Sequence, residues 1–344
     1  MSRSASLGVA VIGLLLIALA TWSLPLVGNN YLVRVATVMC INAVLVASLA
    51  LANGFTGVFS LGHVGLVAIG AYASGILSLS EKSKASYLPN LPDWLAAITL
   101  PFLPSTIAAG LICVVVAFFV GAPLMRLSGH FVSVATLGFL IIVNIVVINA
   151  SDFTRGARTF TGVPIETTLP WAVGWLLVTL VILARIVYSP TGRRYRAVRE
   201  DTIAAQAIGI SVLRTRLSAY MLGAFFAGVG GSLYGHYLGS FSPHSFYMAY
   251  TFSLISMLVI GGMQSLTGAI LGVFLVTLAS EVLRNLERGI DLGAFAVPPL
   301  YGAAQIVLGV IFILIMIFRP TGIMGDRELK LPVFGTQKSK TGEE

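Results

Sequence analysis

Apolar runs of about twenty residues recur along almost the whole chain, the length a helix needs to cross the hydrocarbon of a bilayer. They can be read at 7–24, 31–52, 60–79, 95–122, 131–149, 171–188, 217–238, 249–263, 266–283 and 300–318. No water reaches a backbone inside hydrocarbon, so only helices or closed barrels can span it, and the short alternating segments of a barrel are absent. Composition agrees: 57% of the residues are hydrophobic and 10% charged, where a soluble domain carries about 25% charged. The expected fold class is all-α, a polytopic transmembrane helical bundle of about ten membrane segments. Residues 1–325 would form one transmembrane domain, and 326–344 a disordered cytoplasmic tail. The first run continues past Trp22 to Pro25 without a small-residue cleavage site, so it reads as a retained helix and not a signal peptide.

With ten crossings both termini share one side of the membrane. That side collects 14 of the 21 basic residues against 6 acidic ones, while the other collects 7 of each. Basic loops mark the cytoplasmic face, so both termini are expected there. The same asymmetry explains a pI near 9.7 without nucleic acid, for which no aromatic-interleaved basic domain exists. Cys40 and Cys113 sit inside apolar runs with no ligand-like spacing and read as small core residues.

Polar segments between the runs are too short to bury a core of their own. No GxxxxGK[ST] phosphate loop occurs, so ATP is not bound by that means. The four histidines and sparse carboxylates form no metal set and no catalytic triad, and neither a catalytic nor a metal site is expected. Mid-span carboxylates are missing as well: Arg34, Arg185, Glu281 and Arg319 all fall near span ends, where long side chains reach the interface. A carrier coupled to an ion would need such a group.

What remains inside the spans is neutral: Asn42, Ser60, His63, Thr136, Asn144, Asn149, Ser265, Ser280 and Gln305. Two glycine-rich stretches, 53–75 and 261–272, place polar groups at the mouth of an apolar run. They suit broken or re-entrant helices lining a pathway; a plain turn between two helices fits the same spacing. Ser60, Gly62, His63, Asn144, Gln264 and Ser265 are the candidate pathway residues. For His63 the simpler reading is a histidine satisfied near a helix start, and for Asn144 an interhelical hydrogen bond. Gly223, Ala227, Gly231, Gly235 and Gly239 recur at every fourth position, a small-residue stripe for close helix packing.

The longest basic segment runs over 189–216 and holds six arginines against Glu200 and Asp201. Asp201 or Thr202 can cap a short helix, Ile203, Ala204, Ala205, Ala207 and Ile208 give it a compact apolar face, and Gly209 can end it. Such a helix suits a groove on a partner, with arginines at the rim; a basic helix lying on anionic lipid is the competing reading.

Ala204-Ala205-Gln206-Ala207-Ile208-Gly209 resembles the Ala-Ala-x3-Gly motif of bacterial ABC-importer permeases. Residues 191–210 are similar to the branched-chain amino acid permease family in particular. Gly54, Gly57, residues 60–63 and residues 70–72 match that family's first-half signature. Gly261, Gly262, Ser265, Gly268 and Gly272 match its second half, and Arg319, Pro320, Thr321, Gly322 and Gly325 its end. Ile203 stands where the general motif has glutamate, Gln264 where glycine is expected, and Thr161-Gly162-Val163-Pro164 replaces an outer Thr-Gly-Gly. The resemblance implies a multi-pass subunit of the bacterial inner membrane. It would work with a second similar permease, two cytosolic ATP-binding subunits that carry ATP and magnesium, and a periplasmic solute-binding protein. Arg199, Glu200, Asp201, Ala204, Ala205 and Gly209 would then form the ATPase-coupling loop. A largely uncharged pathway fits leucine, isoleucine and valine, and equally urea or short amides.

Overall fold

The computed structural model describes residues 30–287, 302–319 and 321–325. Its α-helices of six residues or more, among the described residues, are α1 (Asn30–Ala50), α2 (His63–Ser78), α3 (Glu81–Tyr87), α4 (Phe102–Leu124), α5 (His130–Asn149), α6 (Leu169–Val187), α7 (Pro190–Glu200), α8 (Thr202–Ala207), α9 (Val212–Leu238), α10 (Met248–Gly261), α11 (Leu266–Glu287) and α12 (Ala303–Phe318). Among the described residues seven helical segments are long and apolar enough to cross a membrane, and eight if α2 and α3, bent by 118° between them, are taken as one span. The chain is therefore a multi-pass membrane protein. Each expected span from 31–52 onward has a helical counterpart, α12 being a shorter apolar one. The span expected at 7–24 and the tail after 325 lie outside the described residues.

α9 is the central helix, packed most extensively against α2 and α4 and also against α1. Its small residues make this possible. A side-chain carbon on Gly231 would overlap the Val67 carbonyl of α2, and one on Gly228 would lie 2.8 Å from the Ala109 carbonyl of α4. Lipid offers no hydrophobic drive for helices to associate, so close backbone approach and interhelical hydrogen bonds must supply it. Thr106 and Ser232 share such a bond at 2.8 Å, and Cys113 donates to the Leu66 carbonyl at 3.2 Å. Both cysteines are buried and free, as the sequence suggested. Gly239 leaves the stripe: it caps α9 in the left-handed conformation at φ 68°.

Two boundaries and one added element differ from the sequence reading. α4 begins at Phe102 and not near 95, because a residue before proline avoids the α conformation and Pro101 stands at that point. The stretch before it folds back, with the buried Lys84 donating to the Leu95 and Ile98 carbonyls. α9 starts at Val212, so Arg214 and Arg216 belong to its first turns; the basic segment is three helices and not a loop. A two-residue strand pair was not expected: β1 (Phe160–Thr161) runs antiparallel to β2 (Ser240–Phe241). Tyr72, Phe160, Phe241 and Phe246 stack around this pair and join the α6 and α9 ends of the bundle opposite the basic segment.

Gly231→Ala should lower the melting midpoint in detergent by the equivalent of about 1–3 kcal/mol, the usual cost of overpacking. Gly138→Ala, at a position with open space around it, should leave the midpoint unchanged or slightly raised. Equal midpoints for the two variants would remove α9 from its central role.

Candidate functional site

The basic segment folds as its local chemistry dictates. Ser189 begins α7, its hydroxyl accepting from Thr191 N at 3.1 Å ahead of the first-turn Pro190. Arg196 donates to the Val187 carbonyl at 3.1 Å, and the buried Tyr195 hydroxyl lies 3.2 Å from Ser218 Oγ on α9. Burial pushes the Tyr195 phenol above its usual range, against the opposing effect of the Ser218 bond, so it stays a neutral hydroxyl at physiological pH. α7 is thereby fixed against both α6 and α9.

Asp201 separates α7 from α8. Its carboxylate accepts from Ile203 N at 2.7 Å and Ala204 N at 3.1 Å, an N-cap of the expected kind. At the other end Gly209 N bonds Gln206 O at 2.9 Å and Ile210 N bonds Ala205 O at 3.0 Å, with Gly209 at φ 81°. That is a Schellman ending, in which glycine carries the left-handed residue. The helix is six residues long and points most of its surface outward: Ile203 is 78% exposed and Ile208 74%, with Ala204 and Ala207 also exposed. Ala205 departs from the expected docking face. It is 2% exposed, turned into its own chain, and seats the helix.

Arg199 also turns inward. Its side chain is 18% exposed, its Nε donates to Glu200 Oε1 at 3.0 Å, and its Nη1 donates to the Gly54 carbonyl at 3.2 Å, 145 residues away in sequence. Gly54 lies in Leu51–Phe55, the turn that continues α1 beyond Ala50 and is wound as a π-turn, a feature frequent at functional sites. On its other side Gly54 meets the turn between α10 and α11, where a side-chain carbon would overlap the Met263 carbonyl. The end of α10 is met in turn by residues 321–325, through Ile323 N to Ile260 O at 2.9 Å and Met324 N to Gly261 O at 3.1 Å. Three separated glycine-rich segments and the basic helices thus converge at one end of the bundle.

The candidate pathway residues do not form one lane. Asn53 holds Ser60 by both backbone groups, its Oδ1 accepting from Ser60 N at 3.0 Å and its Nδ2 donating to Ser60 O at 3.3 Å. Leu61 N then donates to Thr136 Oγ1 of α5 at 3.0 Å, and Gly62 packs on the Thr136 carbonyl. Ser48 Oγ donates its hydrogen to Leu45 O at 2.8 Å, so His63 Nε2, 3.0 Å from that oxygen, is the donor between them. Ser60, Gly62 and His63 are therefore together at the start of α2, with His63 bonded to Ser48 of α1. Ser265 is a helix cap whose hydroxyl accepts from Gly268 N at 3.0 Å; neighbouring Gln264 lies half-buried in the turn that touches Gly54. Asn144 stands apart. It donates to the Pro243 carbonyl at 3.3 Å, two turns and roughly 12 Å along α5 from Thr136.

Residues 31–316 match a family described as the permease component of branched-chain amino acid transport systems. The chain belongs to that family. Among similar proteins, the high-affinity branched-chain amino acid transport system permease protein LivM of Escherichia coli is 28% identical over 348 aligned positions, 91% of this chain and 74% of the relative. LivH of the same organism and transport system is 30% identical over 162 positions, 46% and 48% of the two chains. The autoinducer 2 import system permease protein LsrC of Klebsiella pneumoniae is 31% identical over 119 positions, 32% and 34% of the two chains. No solved structure matches the chain. The permease is a membrane transport component, and the Gly54, Met263 and 321–325 convergence brings together the segments in which the family resemblance was legible. Sequence reasoning missed the Arg199 contact to Gly54 and the inward face of Ala205. No local signal announces either one, since both depend on contacts between segments far apart in the chain.

Asp201→Ala should weaken α8 by about 1 kcal/mol, and Gly209→Val by about 1–2 kcal/mol, since a side chain disfavours the left-handed conformation. Hydrogen exchange across residues 202–208 should speed up roughly 5- to 30-fold in each variant. Unchanged exchange would mean that the caps do not hold this helix.

Proposed function

We propose that the permease is the membrane subunit of an ATP-driven ABC importer that moves branched-chain amino acids from periplasm to cytoplasm. The basic end of the bundle is the cytoplasmic face, in keeping with the positive-inside rule. Its partners are a second similar permease, two cytosolic ATPases that bind ATP and magnesium, and a periplasmic solute-binding protein. The chain itself carries no ATPase site.

One observation carries this reading. α8 offers Ile203, Ala204, Ala207 and Ile208 to solvent on a helix capped at both ends, with exposed Arg193, Arg194 and Arg214 nearby in sequence. A bulky apolar pair on so short a helix gains little from water and fits a groove on a partner, with the arginines pairing at its rim. Asp201, Gly209 and the buried Ala205 shape and seat that helix, and Ile203 and Ile208 make the contact. The substrate class rests on the named relatives and on the neutral character of the spans; urea and short amides share that neutrality.

Co-purification from mild detergent with ATPases encoded beside it tests the reading, followed by ATP hydrolysis with binding protein loaded with leucine or with urea. Stimulation by leucine is expected, stimulation by urea alone would change the substrate, and no associated ATPase would overturn the ABC assignment. The double variant Ile203→Asp, Ile208→Asp should lower the ATPase recovered with the permease at least tenfold; full recovery would place the contact elsewhere.

A further inference from the structure

Between α8 and the glycine-rich turn at residues 54–57 lies a side chain that reaches the turn directly. Arg199 lies in the last turn of α7, two residues before Asp201, the cap of α8, so any displacement of α8 reaches Arg199 through two backbone positions. Its guanidinium holds the Gly54 carbonyl at 3.2 Å and its stem lies over Gly57, where a side-chain carbon would come within 2.9 Å of Arg199 Cγ. Glu200 accepts from Nε and from Nη2 of the same guanidinium, leaving Nη1 for Gly54. A cation at the carbonyl end of a helix is favourable, and here it secures the one turn of α1 that departs from α-helical winding.

We propose that Arg199 is the positioning residue that transmits movement of α8 to the π-turn of α1 and through it to both glycine-rich segments. The inference rests on the importer reading above, in which α8 is gripped by an ATPase. The chain of contacts is continuous. Gly54 abuts Met263 in the α10–α11 turn, and Asn53 in the same π-turn holds Ser60 by two hydrogen bonds. Leu61 follows with its bond to Thr136 of α5, and His63 with its bond to Ser48 of α1. A change in winding at residues 51–55 therefore shifts the entry to α2 and its contact with α5 together. The winding of that turn is the two-state element, and a contact made at only one winding can bias it.

The test uses the assembled transporter in proteoliposomes with leucine-loaded binding protein. Arg199→Gln, which keeps polarity and loses charge and reach, should assemble with the ATPase but hydrolyse at least ten times more ATP per leucine imported. Arg199→Lys, which keeps the charge, should recover the ratio to within about threefold of the unaltered transporter. Hydrogen exchange across residues 51–58 should rise at least tenfold in Arg199→Gln with no change across α9, a pattern that general loosening of the bundle would not give. An unaltered ATP-to-leucine ratio in Arg199→Gln would overturn the proposal, and so would equal acceleration of exchange in α9. If Arg199→Gln fails to assemble, Arg199→Lys decides by the same two readouts: a ratio raised by up to about threefold with faster exchange confined to 51–58 supports the link, and an unaltered ratio or exchange raised equally in α9 rejects it. Failure of the importer reading is distinguishable, because the unaltered permease would then show no leucine-dependent ATP hydrolysis at all.

Discussion

Everything in this bundle depends on how closely three helices can approach the small-residue face of α9. In water, apolar side chains would drive helices together; in lipid the surroundings are as apolar as the side chains, and that drive is lost. What remains is dispersion at short range and a few hydrogen bonds. Gly228 and Gly231 let α2 and α4 come to backbone contact, and Thr106 with Ser232 adds one polar bond at the same crossing. The opposite faces of α4 and α5 are exposed and strongly apolar, with Val115, Phe119, Phe131 and Val134 all more than half exposed, as a lipid-facing surface requires. The bundle is therefore tight in the middle, and its two ends are built on different principles.

At the end opposite the basic helices the closure is aromatic: Tyr72, Phe160, Phe241 and Phe246 stack around a two-residue strand pair. At the basic end the closure is polar and involves backbone, with Arg199 on Gly54, Asn53 on Ser60 and Ile323 on Ile260. Dispersion falls off gradually with displacement, whereas a hydrogen bond weakens steeply once its angle is lost. The basic end is thus the one whose geometry is held in discrete arrangements, and it is also where the exposed helix α8 is mounted.

Much of this was legible in the sequence because membrane constraints are severe. The span lengths follow from bilayer thickness, the stripe at 223, 227, 231 and 235 from helical spacing, and the caps at Asp201 and Gly209 from local backbone chemistry. Pro101 could also have moved the start of α4, since its effect on the preceding residue is local. What could not be read was contact between distant segments. Nothing near Arg199 announces Gly54, and Ala204 and Ala205 look equivalent until the fold turns one of them inward. The pairing of Phe160 with Phe241 is hidden for the same reason, two residues being too few to show any alternation.

The expected lane of neutral groups illustrates why polarity inside spans is an ambiguous sign of transport. A polar side chain in hydrocarbon must find a partner, and most of those named from the sequence have found one within the chain. Asn42 accepts from Tyr250 at 2.9 Å, His63 donates to Ser48, Asn144 donates to Pro243, and Ser265 caps α11. Each of these bonds joins or ends helices. Ser60 Oγ, by contrast, is buried without a hydrogen-bond partner among the described residues, and it sits in the very segment that Asn53 positions. The neutral residues that looked like a solute path are thus also, for the most part, fastenings of the bundle.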